Sequence, residues 1–149
     1  MRILVDADAC PVKDIIVDVA KKNNIPVIMV CDTSHQINDT YSKTITVDKG
    51  KDSVDITLIN LIQKDDIIVT QDYGLAALAL MKCTNVINQN GLIYTQNNID
   101  KLLLERHIGQ KIRRSGKKVS SIKKRTPADN ERFRKILFKI LTERCEIIG

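Results

Sequence analysis

Along the chain, short apolar runs alternate with stretches whose apolar residues recur at helical spacing. Residues 2–6 form the first run and read as a buried strand. Pro11 suits the first turn of a helix, and Val12, Ile15, Ile16, Val19 and Ala20 then follow a helical period up to Asn23-Asn24. Residues 26–31 read as a second strand, 32–38 as a polar loop, and 42–47 as a third strand with alternating character. Gly50 breaks the chain. Asp52 or Ser53 can cap a helix that carries Val54, Ile56, Ile59 and Ile62.

The second half continues the same order. Residues 67–70 predict a very short fourth strand, 74–81 a helix, 86–87 a fifth strand, and Asn90-Gly91 a turn. Residues 97–109 predict a helix. The basic stretch 111–126, with Gly116 and three serines, predicts a loop, and Pro127 opens a final amphipathic helix over 127–148 with Phe133, Ile136, Leu137 and Ile140. Strands that alternate with helices imply a mostly parallel central sheet covered on both faces, because parallel strands need crossovers. The expected fold is therefore a single α/β domain over residues 1–149, a three-layer sandwich.

Composition narrows the function. Aromatic residues make up only 3% of the chain and Trp is absent, which argues against base-stacking platforms. The opening residues lack the pattern of a signal peptide, and no apolar run is long enough to span a bilayer. Cys10, Cys31, Cys83 and Cys145 are widely spaced with no C-x-x-C pair, so free buried thiols and a cytoplasmic location are expected.

The net charge of +6 hides an imbalance. Residues 1–100 hold 9 Lys/Arg against 13 Asp and no Glu, a balance of −4, whereas residues 101–149 hold 15 against 5, a balance of +10. An acidic body with a basic tail points to a polyanionic partner, of which nucleic acid is the commonest. Lys111, Arg113, Arg114, Lys117, Lys118, Lys123, Lys124 and Arg125 place eight cations in fifteen residues with no acid between them. Such a segment can hold a phosphate backbone without reading bases, although a merely solvated surface has the same composition.

Where the acids fall then matters. Ligands of open α/β sheets bind beyond the carboxyl ends of the strands. Asp6 and Asp8 stand there after strand one, and Thr70 and Asp72 after strand four, in "IIVTQDYGLAA". Asp52 and Asp55, three apart at a helix start, share one face. Three segments thus aim short acids at one rim, where their mutual repulsion calls for a cation. Oxygen donors without a nearby His or Cys suit Mg²⁺ or Mn²⁺, and such an ion can activate water against a phosphodiester. Each acid also has a plainer use: Asp6 or Asp8 can cap the first helix, Asp52 and Asp72 their own, and Asp55 can be a solvated helical acid. Thr70 is a candidate partner for a carboxylate or phosphate, and Asn88 for the rim or for the turn that follows it. Ser34 and His35 lie in a polar loop, His107 reads as structural, and Cys10 has no His to activate it.

"VDADACPVK", "GKDSVD", "VTQDYGLA" and "KIRRSGKK", in this order, resemble the YaiI/YqxD family of uncharacterised bacterial proteins, which is grouped by fold with the PIN-like nucleases. The resemblance covers nearly the whole chain. It implies a PIN-like, metal-dependent ribonuclease site in which Asp6, Asp8, Asp52, Asp55 and Asp72 hold the ion, and Asp6, Asp8, Asp55 and Asp72 are catalytic. Tyr73-Gly74-Leu75 stands where related members often carry Ile-Pro-Leu, and Asp55 where PIN nucleases usually place a Glu. Two other functions fit parts of the pattern. A non-catalytic RNA-binding protein would use the acids as a structural or vestigial metal site. A phosphatase of the haloacid-dehalogenase type would use Asp6-x-Asp8, but it needs a positioned Lys and a later acidic pair.

Overall fold

The computed structural model describes residues 1–32, 39–50, 52–83, 85–117 and 124–148, with side chains to 143 in the last helix. Five strands, β1 (Ile3–Asp6), β2 (Val27–Asp32), β3 (Lys43–Val47), β4 (Ile67–Val69) and β5 (Asn85–Ile87), make one sheet in the order β3-β2-β1-β4-β5. Every pairing between them is parallel, so the sheet is more uniform than the mostly parallel one expected. An antiparallel bridge, Ile87 to Ile93, lies just beyond β5.

Side-chain parity makes the layers. Ile3, Val5, Val27, Met29, Ile67, Val69 and Ile87 point to one face, where α1 (Lys13–Lys22) and α5 (Pro127–Ile148) cover them. Leu4, Ile28, Val30, Ile68 and Val86 point to the other, under α2 (Ser53–Leu61), α3 (Tyr73–Leu80) and α4 (Gln96–Arg114). Alternation along each strand thus gives two apolar cores, one on each side of the sheet. The result is an α/β three-layer sandwich. Cys10, Cys31 and Cys83 are buried. Among the described residues no helix is long and apolar enough to cross a membrane.

A buried ion pair fixes the start of β1 against β4. Arg2 donates from Nε and Nη2 to the two Asp66 oxygens at 3.1 and 2.7 Å, and from Nη2 to the Leu61 carbonyl at 2.8 Å. Asp66, only 1% exposed, also accepts from the Gln63 backbone N–H. Asp66 is therefore a structural acid, placed before the amino end of β4 and away from the carboxyl ends of the strands.

Two boundaries differ from expectation for physical reasons. The first helix begins at Lys13, two residues later than Pro11, with Val12 as N-cap and no side-chain cap. Neither Asp6 nor Asp8 is thus used to cap it. The fourth helix does not stop at Gly109 but runs through Lys111, Arg113 and Arg114, so these three cations are helical rather than part of a loop. Glycine inside a helix costs about 1 kcal/mol, yet cations in the last turn favour the helix dipole. The actual stop is Gly116, in the left-handed conformation at φ 82° that follows the Ser115 cap. A capping box between Thr95 and Asn98 starts this helix at Gln96.

Candidate functional site

The strand order reverses between β1 and β4, since β2 and β3 lie to one side and β5 to the other. This switch point opens a crevice beyond the carboxyl ends of the two strands. Asp6 ends β1 and shares its face with Leu4, which packs under α2 and α3, so its carboxylate is directed towards the helices that carry Asp55 and Asp72.

Thr70 joins the two strands here. Its hydroxyl, 1% exposed, donates to Asp6 Oδ2 at 2.9 Å and accepts the Asp72 backbone N–H at 3.0 Å. The Thr70 carbonyl accepts from the buried Tyr94 hydroxyl at 3.2 Å. Thr70 therefore orients Asp6, the carboxylate partnership that the sequence suggested. Asp6 is mostly buried, and its pKa is pushed up to about 6. Burial is the largest cause; the Thr70 hydrogen bond opposes it, and the charges of Asp55, Asp72 and Asp8 add to the rise. The Asp55 carboxyl is also raised, first by burial and then by Asp72 and Asp52. Asp6 thus feels the charges of Asp8, Asp55 and Asp72, and Asp55 those of Asp72 and Asp52.

Their individual contacts differ. Asp8 accepts the Asp32 backbone N–H at 3.2 and 3.3 Å, which ties the segment after β1 to the end of β2. Asp72 Oδ1 accepts the N–H groups of Gly74 and Leu75 at 2.8 and 3.2 Å and so caps α3. A proline at position 74 would lack the first of these donors. Asp52 is the N-cap residue of α2, in the left-handed conformation at φ 65°, but its side chain makes no capping bond. Asn88 Oδ1 accepts from the Asn90 and Leu92 backbones at 2.9 Å each, so it satisfies the turn that follows β5.

Two hollows meet at Asp72. A crevice of about 360 Å³ is lined by Asp6, Asp8, Asp72 and Arg106. A groove of about 630 Å³ between α2 and α3 is lined by Asp52, Asp55 and Asp72. Among the described residues, no three His, Cys, Asp or Glu side chains stand close enough together to hold an ion as a preformed cage. The donor set nevertheless fits Mg²⁺ or Mn²⁺ in chemistry and charge. It is all oxygen, it is electrostatically strained, and Mg²⁺ commonly uses one or two carboxylates with water and phosphate completing its shell.

The cation that the crevice does contain, Arg106, escapes the sequence reading. Its Nη1 lies 3.9 Å from Asp72 Oδ1, and half of its side chain is exposed. The signal was present as spacing: Arg106 is seven residues after Ile99, a buried residue on the face of α4 turned to the protein.

The basic segment divides. Lys111, Arg113, Arg114, Lys117 and Lys124 are exposed, while Lys118 and Lys123, like Ser34 and His35, lie outside the described residues. Arg125 differs from the others, because its guanidinium also makes bonds within the fold. It donates to Asn130 Oδ1 at 2.8 Å, Asn90 Oδ1 at 2.6 Å and the Gln89 carbonyl at 2.7 Å, fastening the turn after β5 to the start of α5.

A family model described as "Uncharacterized BCR, YaiI/YqxD family" matches residues 4–143. The chain belongs to the YaiI/YqxD family. Among similar family members, a UPF0178 protein of Ruminiclostridium cellulolyticum is 60% identical over 146 residues, which cover 98% of this chain and 95% of the relative. A UPF0178 protein of Alkaliphilus oremlandii is 54% identical over 143 residues, 96% and 92% of the two chains. One of Clostridium tetani is 49% identical over 141 residues, 94% and 97%. No solved structure gives a significant match. The family is uncharacterised, so its name carries no activity to this chain.

Proposed function

We propose that this protein is a divalent-metal-dependent, PIN-like nuclease that hydrolyses phosphodiester bonds in RNA. The observation that carries the reading is the electrostatic linkage of Asp6, Asp8, Asp55 and Asp72 at the switch point, with the Asp6 carboxyl held near pH 6. Asp6, Asp8 and Asp72 would hold Mg²⁺ or Mn²⁺ from the β1 and β4 side, and Asp52 and Asp55 from α2. When bound, the ion supplies a water of lowered pKa and charge stabilisation at the phosphate. Of the residues themselves, Thr70 holds Asp6 in place through its hydroxyl. Asp55, half-buried with a raised pKa, is suited to accept a proton from an attacking water. The exposed cations of α4 and the segment after it hold the strand by its phosphates.

The test is incubation of labelled single-stranded RNA with the purified protein and Mn²⁺. Wild type should cleave, chelation should stop it, and Asp6→Asn should lower the rate at least a hundredfold. Cleavage that persists in Asp6→Asn would place the activity elsewhere.

A second reading, an RNA-binding protein without turnover, is favoured by one specific feature. Asp8 and Asp72 already serve as backbone acceptors, the latter as a helix cap. RNA binding with no cleavage under any divalent ion would support that reading.

A further inference from the structure

We propose that Arg106 and Arg113 form a phosphate-binding track on α4 that leads single-stranded RNA into the acid crevice, with Arg106 on the phosphate nearest Asp6. The proposal rests on the nuclease reading for its ligand class but adds the residues that grip it.

An anion entering a crevice walled by Asp6, Asp8 and Asp72 is repelled unless a cation meets it. Arg106 is the cation that the chain itself supplies there. Among the described residues its one ion-pair contact is Asp72, at 3.9 Å and half exposed. So loose a pair adds little to stability and leaves the planar guanidinium ready for two-point contact with a phosphate.

Arg113 lies two helical turns further on, roughly 10 Å along the axis. Gly109 sits between the two. A Cβ placed there would be 3.8 Å from Arg113 Nη2, so this guanidinium folds back over the glycine towards Arg106. With no side chain at Gly109, the Arg113 guanidinium lies close over α4 at the midpoint of the track. Ile99, Arg106 and Arg113 recur every seven residues, so the track continues the helix face that is buried at Ile99. The strand would therefore run beside the body of the protein from the basic end of α4 to the acids.

The probe is a fluorescein-labelled, single-stranded 15-mer RNA, titrated in Ca²⁺ at several salt concentrations and followed by anisotropy. Arg106→Ala and Arg113→Ala should each weaken binding several-fold and lower the salt slope by about one. Arg106→Lys should restore the slope but only part of the affinity. Lys139→Ala on α5, a control for lost surface charge, should leave the slope unchanged. Arg106→Ala should also keep any thermal stabilisation by Mn²⁺, which Asp6→Asn should lose. Wild-type affinity and slope in Arg106→Ala would overturn the track, as would equal binding of a duplex of the same sequence. No binding of the 15-mer by wild type would overturn both the track and the RNA reading. An Arg106 effect without cleavage in Mn²⁺ would uphold the track and remove only the catalysis.

Discussion

Asp6 shows most plainly what a largely buried carboxylate costs the fold. Its pKa in the folded chain is about 6, against an ordinary value of 3.8. Between these values the unfolded chain loses a proton that the folded chain keeps. Stability therefore falls as pH rises from about 4 to 6, and the cost is fully present above pH 6. The full shift corresponds to roughly 3 kcal/mol. Asp6→Asn keeps an acceptor for Thr70 and removes the charge. It should be more stable than wild type at pH 7 by up to about that amount, with the two converging near pH 4. Urea unfolding at pH 4.5 and 7 measures this, and equal stabilities at pH 7 would contradict the strain assigned to Asp6. That acids gather at one rim was legible in the sequence, because strand ends and helix starts can be located from apolar patterning. Which oxygen is committed was not. The capping bonds of Asp72 and the Asp32 N–H on Asp8 depend on backbone angles that periodicity does not encode.

At the scale of elements, the turn after β5 is where most depends on one residue. Gly91 has φ 83°, and a Cβ there would stand 3.0 Å from the Arg132 carbonyl on α5. Asn88 and Arg125 fasten the same turn from either side. Gly91→Ala should thus destabilise the protein by more than the ~1–2 kcal/mol of a left-handed alanine, since it also pushes α5 away. Chemical denaturation reads that loss, and a change within ~0.5 kcal/mol would show that the turn relaxes freely. Asn90-Gly91 was legible as a turn from the dipeptide alone. The partner it touches, some forty residues later, was not. Likewise Gly109 resembled a helix end in sequence, yet the cations beyond it and the stop at Gly116 carry α4 further. The result places Arg106 and Arg113 on one continuous helix.

At the scale of the whole molecule, charge and topology agree. The acidic first hundred residues build the sheet and its rim, and the basic remainder supplies α4, the segment after it and α5. The sheet order places the switch point between β1 and β4, the strands that end in Asp6 and lead into Thr70 and Asp72. Strand alternation with helices was enough to read the three-layer class. The order of strands, and therefore which acids meet, required the structure. The central claim is that these acids share a divalent ion. A crystal soaked in Mn²⁺ and measured at the manganese absorption edge tests it in one step. The expected result is a single anomalous peak in the crevice, in contact with Asp6 and at least one of Asp8, Asp55 or Asp72. A crevice without a peak, or an ion bound only at other surfaces while Asp72 still caps α3, would contradict it.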